Sequence, residues 1–573
     1  MKIYKYIYIF FFVQFIFRFF LSYHLPAAEI EFSRRIVFCI MGTLADSFIL
    51  LVNYLFYSIF KKKIFSISYC IWYIYSICVS IINNILLLKT FSIIEPSIIL
   101  LILDNLNLQS IKAVFGEFYV LYIVFVFLII LFCFKVLYDN LNKENININT
   151  KIKVLLTIIC ILGGYFCFPG FPPQNNKSAY DLRMWIWQPA TLSTYNLFNY
   201  RKDLDIQLHQ YQLSDIDIDD LDKMGLIYEK NQNVESVDFD KIVLIIVESL
   251  DRNYINCYNE NIPCKYTEFF NYAVDNYISM DNFYTASTST DNGINALLNS
   301  RLDYYTDRII NQNDKYKVNS LLDVVNNHGY DTYFIRGSSK KYADHDLYYP
   351  KLFGMNKFIT SEDFYEKYGL KNTQWGIEDK FLFDEAIKIL CKARSKKQFI
   401  VINTIDTHPP YRNYDNQLSS NKFLDSLAHT DYNLKKFYEK IKLLNLFDDK
   451  TLIIITADHS ATHGANYTNR LDFEPDRIPL IFLTKNITFN KEFRINVDEK
   501  KYCSQIDLAP TIIDILGFIK PDSMMGKSIF TQSSFSITKY RDDLYLRNNE
   551  RMKVVNLEND RNDILYKWYY HYY

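Results

Sequence analysis

Two runs decide the fold: Ile242 to Ser249, read IVLIIVES, and Thr451 to Ser460, read TLIIITADHS. Each is a short, unbroken, β-branched stretch that ends abruptly in polar residues. Such runs read as strands covered on both faces. Two more follow the same pattern, DTYFIRGS from Asp331 and QFIVINTIDTHPP from Gln398. Helical stretches lie between them. The alternation predicts an α/β domain with a central, mainly parallel sheet and helices on both faces. In open sheets of this kind ligands bind outside the carboxyl ends of the strands. At those ends stand Glu248, Arg336, His408, Asp458 and His459. Each alone fits a solvated loop residue, and a lone His is more often structural than a ligand. Their coincidence at four strand ends points to one shared site.

Glu248, Asp458 and His459 offer two carboxylates and one imidazole. That set suits Zn²⁺ or Mn²⁺, and Mg²⁺ less well because of the imidazole. Three protein ligands leave a position open for a nucleophile. A divalent ion there would lower the pKa of a coordinated hydroxyl and stabilise developing negative charge. A candidate hydroxyl lies in TASTSTDNGINALLNSR, where Thr288, Ser289 and Thr290 precede the helical spacing of Ile294, Leu297 and Leu298. A hydroxyl at a helix N-terminus sits beside free backbone N–H groups that favour phosphate or sulfate. Ordinary helix capping accounts for the same residues and is compatible with that role.

The 573-residue chain is too long for one ordinary domain. Its 63 basic and 64 acidic residues leave a net charge of −1, which argues against a nucleic-acid partner. The apolar residues concentrate in the first part, and residues 1–168 read as a membrane domain. Five apolar runs are predicted to cross a bilayer, at residues 6–21, 36–60, 64–88, 118–134 and 152–168. Lys2, Lys5, Lys61, Lys62, Lys63, Lys143 and Lys151 fall on one side if the crossings alternate, whereas Arg34 and Arg35 fall on the other. The positive-inside rule makes the lysine side cytoplasmic. Everything after Phe168 is then extracytoplasmic, at the cell (inner) membrane. Asp46 lies within the second run, as a functional candidate or as a packing residue. Residues 169–238 read as a juxtamembrane linker, 239–535 as the catalytic domain and 536–573 as a C-terminal extension. Six of the ten cysteines lie in the membrane part. Among the others, the spacing of Cys257 and Cys264 permits a disulfide in an oxidising compartment without requiring one.

With these residues in place, the outer domain resembles the sulfatase and alkaline-phosphatase superfamily. With five helices in front, the chain resembles the lipoteichoic acid synthases and the related phosphoethanolamine transferases. The resemblance implies that Glu248 in IIVESLD and the Asp458-His459 pair in TADHS are metal ligands. The nucleophilic, metal-contacting Thr falls at Thr290, by its spacing to Asn299 and Ser300. His408 in DTHPPY is implied to contact substrate, and Arg336, His345 and His463 join it as substrate-binding candidates. WGIED (Trp375 to Asp379), RIPLIF from Arg477 and QIDLAPTIIDILG from Gln505 add weaker matches, and MMGKSIF reads like a closing segment.

Some departures carry information. No C/S-x-P-x-R motif is present, which disfavours sulfate-ester hydrolysis. The loop RGSSKKYADHDLYYP has Tyr342, Ala343, Asp344 and His345 where lipoteichoic enzymes place a Trp and an Arg. Asn295-Ala296 lies near the Pro-Cys pair usual in phosphoethanolamine transferases. The head group stays open between phosphoglycerol and phosphoethanolamine. The expected activity is metal-dependent transfer of such a group from a phospholipid donor to an extracytoplasmic glycan or lipid acceptor, through a phospho-threonine. A hydrolase on the same fold, and a non-catalytic membrane receptor or scaffold, are the alternatives.

Overall fold

The computed structural model describes residues 10–16, 43, 50, 56, 64–65 and 67–77 of the first part. Beyond these it describes 236–287, 289–302, 319–340, 345–368, 376–392, 396–408, 411–412, 414–460, 476–486, 498–540, 543–557, 560 and 562–572. The chain divides into two compact units, residues 1–206 with 465–473, and residues 207–464 with 474–573.

In the first unit, residues 10–16 and 67–77 are helical. They touch through the Phe10 and Tyr73 rings, 4.9 Å apart, and through the Gln14 amide, which donates to the Ser76 carbonyl at 3.2 Å. Among the described residues no helix is long and apolar enough to cross a membrane. Most of the five expected crossings, Asp46 included, lies outside the described residues.

In the second unit the elements follow in the order β1 (Lys241–Val247), α1 (Glu268–Asn276), β2 (Ile278–Ser279), β3 (Asn282–Tyr284), α2 (Thr290–Asn299), α3 (Leu321–Asn327), β4 (Asp331–Arg336), α4 (His345–Phe353), β5 (Lys357–Ile359), α5 (Ser361–Tyr368), α6 (Asp379–Lys392), β6 (Gln398–Asn403), α7 (Lys422–Leu443), β7 (Thr451–Ala457), β8 (Ile481–Thr484), β9 (Tyr502–Ser504) and α8 (Leu508–Ile515). Seven strands form one sheet in the order β2-β8-β7-β1-β6-β4-β5. β1 pairs in parallel with both β6 and β7, and β4 with both β6 and β5; β8 runs antiparallel to its neighbours β7 and β2. The expected α/β domain is present; its sheet is mixed, mainly parallel and antiparallel only where β8 meets β7 and β2.

Every residue of β1, β6 and β7 is buried, so both faces of the sheet are covered. One helix group packs α1 and α6 on α7, and another packs α2 and α3 on α8. Each apolar side chain removed from water in this way contributes roughly 1.5–3 kcal/mol, which fixes the strand register. That register sets the site. Ile246 lies opposite Asn403 and Thr456, and Val247 opposite Ala457. One step further along, Glu248 and Asp458 leave the sheet side by side.

The longest helix among the described residues of this unit, α7, is capped by Asn421, whose side chain accepts from the Phe423 and Leu424 amides. Inside α7, buried Asp431 accepts from the Phe269 and Phe270 amides, both at 2.9 Å. It thereby satisfies the first turn of α1, which its own N-cap, Thr267, does not. Burial pushes the Asp431 carboxyl up to about 7, against the partial opposition of those two hydrogen bonds.

The described residues from Ser536 onward belong to the same compact unit. β10 (Ser536–Tyr540), β11 (Asp543–Arg547) and β12 (Met552–Asn556) form an antiparallel meander, followed by α9 (Ile564–His571). Ile537, Leu544, Val555, Leu565, Trp568 and Tyr569 make a second apolar cluster with Ala286, Ala296 and Leu302. The extension therefore packs on α2 and its flanks. The Lys539 amide donates to the Ala286 carbonyl at 2.9 Å, and Arg301, just past α2, donates to the Tyr572 carbonyl.

Candidate active site

Three strand or helix ends meet at one point. From β1 comes Glu248, from β7 come Asp458 and His459, and from the start of α2 comes Thr290. A ligand atom from each of Glu248, Asp458 and His459 lies within 4.8 Å of the others, and all three residues are buried. The Thr290 hydroxyl donates to Glu248 Oε2 at 3.4 Å and lies 3.3 Å from His459 Nε2. Ser289 occupies the N-cap position but makes no side-chain capping bond. The Thr290 hydroxyl thus points to the acidic cluster.

Ser249 knits the cluster together. Its amide donates to Asp458 Oδ1 at 2.8 Å, and its hydroxyl donates to Glu248 Oε1 at 2.7 Å. Its backbone is left-handed, with φ of 55°, a conformation that costs a non-glycine residue energy and that clusters at functional sites. Thr404, past β6, accepts from the Glu248 amide at 3.0 Å, and the Thr407 hydroxyl donates to the Glu248 carbonyl at 2.5 Å.

The charges in this cluster are unbalanced. Burial raises the Glu248 carboxyl, but its hydrogen bond to His459 and the charges of His408 and His459 outweigh that and hold it well below the usual carboxylate range. Asp458, buried beside Glu248, is pushed up to about 8. Burial opposes a charge on His459, yet Asp458 and Glu248 together raise it to about 10. A protonated His459 thus faces the Glu248 carboxylate, its Nε2 3.4 Å from Oε1. His459 Nδ1 lies 2.8 Å from the Ser460 carbonyl; an acceptor there fixes the proton on Nδ1 and leaves Nε2 to face the cluster. Asp458 Oδ2 is buried with no hydrogen-bond partner. A buried orphan oxygen, a carboxylate and a pre-oriented imidazole fit a divalent cation.

Two further networks border this point. In the first, Asp291, the next residue after Thr290, accepts from the Tyr349 hydroxyl at 2.6 Å and lies 3.1 Å from His345 Nε2 and 3.6 Å from Arg336 Nη1. In the second, Asp379 at the start of α6 accepts from the Ile405 amide at 2.8 Å, the Asp406 amide at 3.2 Å and the Thr430 hydroxyl at 2.9 Å. Asp406 in turn holds Arg412 Nε at 2.9 Å. This acidic pair pins the turn that carries His408. Burial, then the neighbouring Asp406, raises Asp379 far above the usual carboxylate range.

Comparison with known proteins identifies the scaffold, for residues 240–518 match the Sulfatase family. They form a sulfatase-family domain. Phosphoglycerol transferase I of Salmonella arizonae is 26% identical over 278 residues, covering 43% of this chain and 34% of the relative. The chain thus spans about a third of the length of the curated relatives it matches. The integral membrane protein lipooligosaccharide phosphoethanolamine transferase A of Neisseria meningitidis shares the fold, with a TM-score of 0.58, 11% identity, and coverage of 91% of this chain and 97% of that one. The lipoteichoic acid synthase of Listeria monocytogenes aligns with a TM-score of 0.48 and 15% identity, over 61% of this chain and 94% of that one. The family match over residues 240–518 bears out the sulfatase resemblance read from the motifs.

Within the sulfatase domain, Glu248, Thr290, Asp458 and His459 come together as expected. Half-buried His408 lies near enough for its charge to act on Glu248. Arg336 and His345 are buried and meet each other and Asp291. His463 lies outside the described residues. Cys257 and Cys264 are exposed and not joined by a disulfide. Four contributors to the cluster and its surroundings escaped sequence reading: Ser249, Asp291, Gly293 and Tyr349. A Cβ on Gly293 would stand 1.9 Å from the Asp458 carbonyl oxygen. Gly293 was the findable one, since a glycine one turn inside a helix calls for a packing reason.

Proposed function

We propose that this protein is a membrane-anchored transferase of phospho-alcohol head groups. It moves phosphoglycerol or phosphoethanolamine from a phospholipid to a hydroxyl of an extracytoplasmic glycan or lipid, through a phospho-threonine at Thr290. One observation carries the reading: the Thr290 hydroxyl stands at the start of α2, 3.3 Å from His459 and 3.4 Å from Glu248, beside the orphan Asp458 oxygen. Glu248, Asp458, His459 and Thr290 would hold a divalent cation, Mn²⁺ or Zn²⁺ before Mg²⁺. Such an ion supplies Lewis acidity that lowers the hydroxyl pKa and stabilises charge on the phosphoryl oxygens.

The residues divide the remaining work. The Thr290 oxygen attacks phosphorus as its proton passes toward the Glu248 carboxylate. The bond from phosphorus to the diacylglycerol oxygen breaks, and His408 gives that oxygen a proton. Free amides at the start of α2 stabilise the phosphoryl charge. An acceptor hydroxyl, giving its proton to His408, then attacks the phospho-threonine from the vacated side; the bond from phosphorus to the Thr290 oxygen breaks, and that oxygen regains the proton held at Glu248. Arg336 and His345 are engaged with Asp291, which leaves His408 and His463 as the candidates for holding the head group.

Anchoring fits a lipid donor, because it raises the donor's effective concentration. The five apolar runs and their flanking lysines support a multi-pass protein of the cell membrane with the catalytic domain outside. So does the fold shared with an integral membrane protein over 91% of this chain.

The test is mass spectrometry of Thr290 peptides after incubating the detergent-purified protein with phosphatidylglycerol or phosphatidylethanolamine. An adduct on Thr290, lost in Thr290→Ala together with transfer, is expected. An adduct on Thr288 or Ser289 would move the nucleophile. Head-group release that ignores the acceptor would make the protein a hydrolase.

A further inference from the structure

The start of α2 has to be held still for Thr290 to act, and the usual device is missing. The N-cap residue Ser289 makes no side-chain bond to the first turn. Thr290's own contacts, at 3.3 and 3.4 Å, are long for hydroxyl hydrogen bonds and anchor little. Asp291, one residue on, points elsewhere around the helix. Its carboxylate takes the Tyr349 hydroxyl at 2.6 Å and lies within 3.2 Å of His345 Nε2.

The groups that hold Asp291 are themselves rigid. Arg336, His345 and Tyr349 are 4%, 0% and 3% exposed. Arg336 Nη1 lies 3.2 Å from His345 Nδ1 and also donates to the Tyr349 hydroxyl. A guanidinium can only donate, so His345 Nδ1 accepts and its Nε2–H faces Asp291. The Tyr349 ring packs on Phe334, Phe353 and Phe358, with centroids 5.6, 5.0 and 5.6 Å away. The chain of contacts therefore runs from the apolar core, through Tyr349 and His345, to the residue beside the nucleophile.

We propose that Asp291 and Tyr349 are positioning residues that fix the first turn of α2 and so set the reach of the Thr290 hydroxyl. The inference rests on the transferase reading. A shift of about 1 Å at a reacting atom costs on the order of 100-fold in rate. Tyr349→Phe removes the bond and keeps the ring packing, and Asp291→Asn keeps the side-chain shape. Each is expected to lower kcat for head-group transfer from phosphatidylglycerol or phosphatidylethanolamine roughly 10- to 100-fold. KM, the thermal shift produced by Mn²⁺ and the Tm should stay near wild type. Unchanged kcat overturns the inference. A rise in KM alone overturns it too, by making these residues substrate contacts, and so does a kcat that falls only in step with Tm. An inactive wild type would instead sink the transferase reading itself, and this inference with it.

Discussion

Gly293→Ala places one methyl group against the strand end that carries Asp458. The added carbon would lie 1.9 Å from the Asp458 carbonyl oxygen, 2.7 Å from its carbonyl carbon and 3.2 Å from its Cα. An ordinary carbon–oxygen contact is about 3.3 Å, so α2 and the end of β7 must part by about 1.4 Å. The obstacle is backbone, which cannot swing aside. Overpacking of this kind costs ~1–3 kcal/mol, and alanine's better helix propensity returns up to ~1 kcal/mol. The net loss of stability is therefore modest, about 0–3 kcal/mol. Activity should suffer far more. Thr290 lies one turn before Gly293, and a retreat of that size carries its hydroxyl out of reach of Glu248 and His459, at a cost on the order of 100-fold. The assay pairs head-group transfer by the detergent-purified protein with its thermal melt. Transfer within a few-fold of wild type would refute the claim that this contact sets the nucleophile's position.

Two further perturbations probe other parts of the domain. Mn²⁺ or Zn²⁺ should stabilise the wild type by about 2.7 kcal/mol at a hundred times the dissociation constant, read as a rise in Tm. Asp458→Asn should abolish that rise, and an equal rise in both proteins would remove Asp458 from the ligand set. Asp431 tests pH linkage away from the cluster. Its pKa is raised in the folded state to about 7 from an ordinary 3.8, so its contribution is complete at acid pH and is lost as pH climbs through about 7. Asp431→Asn, which mimics the protonated acid, should flatten the fall in Tm across that window. Parallel Tm-against-pH curves for the two proteins would refute the assignment.

What the sequence revealed follows the strength of local signals. The strands β1, β4, β6 and β7 are unbroken apolar runs, and the polar residues that end them sit where the sheet topology needs them. Glu248, Asp458 and His459 could therefore be placed before any coordinates. The short strands β2, β3, β5, β8 and β9 have two to four residues each, too few for periodicity to register. β8 reverses direction, which a run such as IFLT cannot disclose. Asp291 carries no signal of its own in the sequence, because its partners Arg336, His345 and Tyr349 are distant in sequence. Ser249 gave no sign of its left-handed backbone, since serine is not the residue expected there. The meander of β10 to β12 was passed over as a tail, since SITKY and DLYLR are half polar and gain burial only by pairing with each other and closing on α2.

That closure makes β10 to β12 and α9 part of the support of α2. Arg301 and Tyr572 meet across 271 positions of chain, so the seat of α2 is assembled by contacts remote in sequence, and slowly. Any change that displaces α9 therefore pulls on Arg301 and, through it, on the base of α2. Weak activity in such a variant would report on a lost seat rather than on lost chemistry.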